Sequence, residues 1–130
     1  MQDSTLAILV VEDHPFQLIA MQMHLNRMGF FYLTPALDAE EAREACQRRE
    51  KPFDLLLCDI NLPDTNGIEL LTELASSGGI QQAILFSYRE EDELQRLEKQ
   101  LKSSGLPVLA CLSKPLGQRT LLQALGEKAG

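Results

Sequence analysis

No apolar stretch in this chain exceeds the length of a strand, so none of it can cross a membrane as a helix. A basic leader is missing too. Met1-Gln-Asp-Ser-Thr5 carries no positive charge ahead of the short run Leu6 to Val11, so no signal peptide is expected and the cytoplasm is the expected compartment. Cysteine is sparse: Cys46, Cys58 and Cys111 lie far apart, match no zinc-ligand spacing and leave one thiol over in any disulfide scheme. They read as small buried hydrophobes. Positive charge is short as well, with 12 Lys and Arg against 19 Asp and Glu for a formal net charge of -7. That balance argues against direct binding of nucleic acid, which needs a basic surface to neutralise phosphate. A glycine-rich phosphate loop is also absent, since the first apolar run leads into Glu12-Asp13-His14-Pro15, and this excludes the common nucleotide-binding and GTPase folds. There is no internal repeat, low-complexity tract or linker.

What is present is the composition of a soluble globular protein, 45% hydrophobic and 24% charged over 130 residues. One domain over residues 1–130 is expected, with its core at about 5–125. Thr5 to Val11 is an aliphatic, β-branched run of the kind buried on both faces of a parallel sheet. Pro15 suits the first turn of a helix that runs to Met28 and stops at Gly29. That helix carries two apolar stripes, Leu18, Met21, Leu25, Met28 and Phe16, Ile19, Ala20, Met23, of which only one can face a sheet squarely. Phe30 to Leu33 reads as a second strand and Thr34-Pro35 as a loop, followed by a helix from Asp38, its N-cap, to about Arg49. Asp54 to Asp59 is a third strand, and Pro63 and Gly67 punctuate the turn into a helix marked by Ile68, Leu71, Leu74 and Ala75. Ala83 to Phe86 forms a fourth strand ending at Ser87. A solvated helix with Leu94, Leu97 and Leu101 runs from Glu91 to about Ser103. Val108 to Leu112 is the fifth strand, and a last helix spans about Gln118 to Leu125.

Strict alternation of strand and helix implies an α/β fold: a doubly wound, five-stranded parallel sheet of flavodoxin-like order 2-1-3-4-5 with helices on both faces. Ligands of such sheets bind beyond the carboxyl ends of the strands. The residues there are Glu12 and Asp13, Asp59, Ser87 and Lys114, all polar. Glu12, Asp13 and Asp59 would share one crevice and raise one another's pKa unless something positive intervened. An all-oxygen ligand set suits Mg²⁺, or Mn²⁺. Lys114 and the Ser87 hydroxyl could stabilise a phosphoryl group, with Asp59 as the nucleophile that becomes an aspartyl phosphate. His14 and His24 read as helix residues that offer no metal set.

These residues resemble the receiver domain of two-component response regulators, similar to the chemotaxis response regulator, over Leu6 to about Leu125. The resemblance rests on the acidic pair after strand one, Asp59 followed by Pro63 and Gly67, a hydroxyl ending strand four, and Lys114-Pro115 ending strand five. It implies that Asp59 accepts phosphate from a histidine kinase or histidine phosphotransfer protein, with Asp59, Lys114 and Ser87 as the reacting set. It also implies that Asp13, Asp59 and the backbone carbonyl of Asn61 hold the metal, with Glu12 bound through water, and that the Lys114-Pro115 peptide is cis. Leu18, Met21, Leu25 and Met28 become the sheet-facing stripe, which leaves Phe16, Ile19, Ala20 and Met23 as a partner-docking patch. Such a module modifies itself and is not an enzyme acting on a free metabolite. Two positions depart from the pattern. Cys111 stands where the family's switch aromatic would be, and Tyr88 replaces the usual small residue after Ser87, so both join Ser87 as switch or gate positions. Cys111 keeps alive an alternative reading, a receiver-like interaction module that works without phosphorylation. The downstream effector or output domain, a homodimer, and excision from a longer regulator are left open.

Overall fold

A computed structural model describes residues 5–129; both ends of the expected 1–130 domain lie outside the described residues. The elements alternate as β1 (Ala7–Val11), α1 (Pro15–Arg27), β2 (Tyr32–Ala36), α2 (Ala39–Gln47), β3 (Phe53–Asp59), α3 (Gly67–Ser76), β4 (Ile80–Ser87), α4 (Glu91–Ser103), β5 (Val108–Ser113) and α5 (Gln118–Ala129). All strand pairs are parallel, in the order β2-β1-β3-β4-β5. This is the flavodoxin-like arrangement that the alternation implies.

Side chains of successive strand residues point to opposite faces, and the two faces bury different helices. Ile8, Val10, Leu55, Leu57, Ile84 and Phe86 pack under α1 and α5, against Leu18, Leu25, Met28 and Leu121. Leu9, Val11, Leu56, Cys58 and Leu85 pack on the other face, against Ala42, Leu71, Leu74, Leu94 and Leu101 from α2, α3 and α4. Each fully buried aliphatic side chain contributes roughly 1.5–3 kcal/mol, so the central strands anchor the rims that they present.

The ambiguity in α1 is settled by that packing. Leu18, Leu25 and Met28 are buried and Met21 is half-buried, whereas Phe16, Ile19, Ala20 and Met23 are exposed. The second strand needs correction: it is Tyr32–Ala36, not Phe30 to Leu33, and Thr34-Pro35 lies within it. Phe30 is instead buried below α1, its N–H donating to the Leu25 carbonyl at 3.0 Å. Proline is tolerated because β2 is an edge strand, where a missing donor costs the ladder least. β4 also begins earlier than expected, at Ile80, which pairs with Phe53.

Candidate functional site at the strand ends

Register brings the rim residues level. Val11 lies beside Cys58, Asp59 beside Phe86, and Ser87 beside Ser113, so Glu12, Asp59, Ser87 and Lys114 each end or follow a strand at one edge of the sheet. The Lys114 N–H donates to the Ser87 carbonyl at 2.8 Å, and the Lys114-Pro115 peptide is cis. Asn66 caps α3 by accepting from the Glu69 N–H at 2.8 Å, and Gly67 follows. A Cβ on Gly67 would lie 2.5 Å from the Asp59 carbonyl oxygen, so only glycine lets α3 start this close beneath the acid.

The centre of the site is the Lys114 ammonium. It donates to Glu12 Oε1 at 2.7 Å, Asp59 Oδ2 at 2.6 Å and Gln17 Oε1 at 3.1 Å. The Lys114 side chain is 6% exposed and that of Glu12 0%. The other oxygens are occupied as well, Asp59 Oδ1 by the Asn61 N–H at 2.9 Å and Glu12 Oε2 by the His14 N–H at 3.1 Å. Burial raises the Glu12 carboxyl above its ordinary range, against the hydrogen bonds from Lys114 and the His14 amide; contact with Asp13 and the charge of Asp59 push it further up. Burial alone would lower the Lys114 ammonium, but its bonds to Asp59 and Glu12 outweigh that and raise it. The intervening positive charge that the crowded carboxylates call for is thus supplied, in part, by Lys114.

Asp13 is half-buried on the rim, and its Oδ1 lies 3.8 Å from His14 Nε2. Ligand atoms of Glu12, Asp13 and His14 all lie within 4.8 Å of one another. Carboxylates from Glu12, Asp13 and Asp59, with the Asn61 backbone beside Asp59, make a rim rich in hard oxygen donors and short of positive charge, which fits a divalent cation.

Ser87 is 1% exposed and its Oγ accepts the Arg89 N–H at 3.3 Å. Tyr88 is 68% exposed, yet its ring centroid lies 4.9 Å from the Lys114 ammonium, close enough for a cation–π contact. With Gln17, Met21, His24 and Leu116 it lines a cavity of about 330 Å³ between α1 and the loop after Lys114. Gln17 is a site residue that sequence reading missed. An amide one turn into α1 carries no sign of a lysine 97 residues away.

The cysteines are free, and none is poised as a nucleophile. Burial raises the Cys58 thiol well above its ordinary value, and burial with the nearby Glu98 pushes Cys111 up to about 12. Cys111 is buried, and its backbone N–H donates to Glu98 Oε1 of α4 at 2.9 Å. Among the described residues no helix is long and apolar enough to cross a membrane.

A family model described as the response regulator receiver domain matches residues 8–126. The chain is 32% identical over 130 residues to the virulence sensor protein BvgS of Bordetella bronchiseptica, covering 96% of this chain and 10% of that protein. It is 30% identical over 115 residues to the sensor protein EvgS of Escherichia coli K12, covering 85% of this chain and 9% of that one. The chain therefore spans about a tenth of the length of these curated relatives. Among solved structures, a CheY-like response regulator receiver domain protein from Methanospirillum hungatei JF-1 superposes with a TM-score of 0.73 at 28% identity, over 95% of this chain and 94% of that one.

Proposed function

The chain belongs to the response regulator receiver domain family, and from that premise we propose that Asp59 accepts a phosphoryl group from a phosphohistidine donor, a histidine kinase or histidine phosphotransfer protein. One observation carries the reading: a buried ammonium shared by two carboxylates at the ends of separate strands. A buried ion cluster of this kind is weak as a stabilising device, because well-packed apolar residues would serve the fold at least as well. As a phosphoacceptor site it has a purpose. An Asp59 carboxylate oxygen attacks phosphorus, the P–N bond of the donor breaks, and its electron pair returns to the imidazole nitrogen, which takes a proton. Lys114 redirects an N–H from Asp59 toward a phosphoryl oxygen, and the Ser87 hydroxyl donates to another. Asp13, Asp59 and the Asn61 carbonyl, with Glu12 behind them, would hold Mg²⁺ or Mn²⁺, whose charge offsets the negative charge gathered on the phosphoryl group. Attack by water on phosphorus later breaks the P–O bond, releases inorganic phosphate and restores Asp59. The module acts on itself, in the cytoplasm, and turns over no free metabolite.

The direct test is intact mass after incubation with acetyl phosphate. Gain of one phosphoryl group with Mg²⁺ and none with excess chelator is the expected pair of results; uptake indifferent to chelator counts against the reading.

Tyr88 then serves as a gate. Its ring lies against the ammonium that faces the phosphoryl group, which limits the approach of water. Tyr88→Ala is expected to shorten the lifetime of the phosphorylated form severalfold, measured by loss of the added mass with time. An unchanged lifetime would remove Tyr88 from the mechanism.

The exposed patch of Phe16, Ile19, Ala20 and Met23, on the helix that follows the acidic pair, is the docking surface for the protein donor. Ile19→Asp should slow transfer from a phosphorylated histidine phosphotransfer protein by about tenfold, equivalent to about 1.4 kcal/mol, and affect labelling by acetyl phosphate far less. Equal effects on both donors would argue against docking there.

The alternative, an interaction module independent of phosphate, is favoured by Cys111. It is buried at the position of the switch aromatic, and Glu98 holds its amide to α4. If this reading holds, partners bind equally to the untreated and the phosphorylated chain.

A further inference from the structure

The cation site just described is built from oxygen donors, yet a group of potential ligand atoms at the same rim contains a nitrogen. One carboxylate oxygen each from Glu12 and Asp13 and one imidazole nitrogen of His14 lie mutually within 4.8 Å. This follows from how the chain leaves β1. Glu12 turns its side chain into the end of the sheet, where it is fully buried, Asp13 stays on the rim, and Pro15 opens α1. His14 bridges the two elements in extended backbone, at φ -92 and ψ 112, and its side chain makes no capping hydrogen bond to the helix.

The backbone of His14 is also fixed to the pocket. Its N–H donates to Glu12 Oε2 at 3.1 Å, while its ring nitrogen faces Asp13 Oδ1 at 3.8 Å. That second distance is too long for a hydrogen bond. The ring is thus held beside two adjoining carboxylates without being consumed by either. Its side chain is 63% exposed, so no burial prevents it from turning a lone pair toward an ion between them. An imidazole nitrogen is a ligand for first-row transition ions. Mg²⁺ gains little from it, because that ion prefers oxygen and keeps several waters.

We propose that His14 is a metal-selecting residue: next to Asp13, with Glu12 behind them, it adds a nitrogen donor to the oxygen set and so shifts the pocket's preference from Mg²⁺ toward ions such as Ni²⁺ and Zn²⁺. The inference rests on the reading of this rim as a divalent-cation site. It differs from that reading in what it predicts. The carboxylates and the Asn61 carbonyl would bind any hard divalent ion, whereas the imidazole changes the ratio between ions.

Calorimetric titration of the full chain with Ni²⁺ and, separately, with Mg²⁺ measures that ratio. Replacing His14 by Gln is expected to lower the Ni²⁺ to Mg²⁺ affinity ratio by about tenfold or more, the scale on which even residues behind the ligands act at metal sites. His24→Gln is the control for adventitious binding to histidine and should leave the ratio as it is. Far-UV circular dichroism confirms that both variants fold. An unchanged ratio in His14→Gln, with Mg²⁺ still bound, overturns the role of His14 alone. Binding of neither ion to the unmodified chain overturns this inference together with the cation site on which it rests.

Discussion

Asp59→Asn is expected to abolish phosphoryl uptake completely and yet leave a protein at least as stable as the original. The loss follows from chemistry, since an amide oxygen is too weak a nucleophile to take the place of the carboxylate. The stability follows from charge. Asp59 is 3% exposed and shares the Lys114 ammonium with Glu12, whose carboxyl is already held high by burial, with the charge of Asp59 adding to it. Asparagine removes one buried negative charge, keeps one oxygen that serves either the Asn61 N–H or the Lys114 ammonium, and leaves Glu12 and Lys114 as a balanced pair. Urea denaturation followed by circular dichroism should therefore give a midpoint equal to or above that of the unmodified chain. A lowered midpoint would mean that Asp59 serves the fold rather than the reaction.

Lys114→Met should have the opposite effect on stability, and a large one. The substitution strands Glu12 and Asp59 as unpaired buried carboxylates, a situation that costs about 3–5 kcal/mol. It should also suppress phosphoryl uptake by removing the charge that faces the incoming group. The stability loss has a defined dependence on pH. Glu12 titrates above its ordinary value of 4.5 in the folded chain, so the folded state binds this proton more readily than the unfolded one. Its ionisation therefore costs stability as pH rises above 4.5, and the cost is complete once pH passes the raised value. Without Lys114, Glu12 rises further, so the variant should recover toward the original as pH falls from 7 toward about 4.5. At the alkaline end the order changes. Lys114 in the folded chain titrates above its ordinary 10.5, so its contribution is present below that value and is lost as pH rises through the raised one. The original chain loses stability there by a route that the variant lacks. Denaturation midpoints across pH test both limbs; a constant gap between the two proteins would show that the ion cluster is not the cause.

Much of this site was legible before any coordinates, for a specific reason. Ile8 to Val11, Leu55 to Cys58 and Ile84 to Phe86 are uninterrupted apolar runs because their strands are buried on both faces, so the first polar residue after each run marks the rim. Glu12, Asp59 and Ser87 were found by that rule alone. β2 broke the rule. As an edge strand it is exposed at Tyr32 and Pro35, and its boundaries depend on pairing with β1 rather than on its own pattern. The two stripes of α1 were equal by periodicity; the family resemblance chose between them, and the burial of Leu18, Leu25 and Met28 against the sheet agrees with that choice. Contacts across the chain were invisible. Gln17 reaches Lys114, and Glu98 holds the Cys111 amide, through distances set by the packing of helices that neither residue's neighbours reveal.

The central claim is that the carboxylate of Asp59 becomes an aspartyl phosphate, and one measurement addresses it without assuming a donor protein or an output. The chain is treated with acetyl phosphate and Mg²⁺, reduced with borohydride, which converts an acyl phosphate into an alcohol, and mapped by peptide mass spectrometry. The account predicts homoserine at position 59 and at no other aspartate. Reduction at a different residue, or an unmodified Asp59 in a chain that has gained a phosphoryl group, would contradict it.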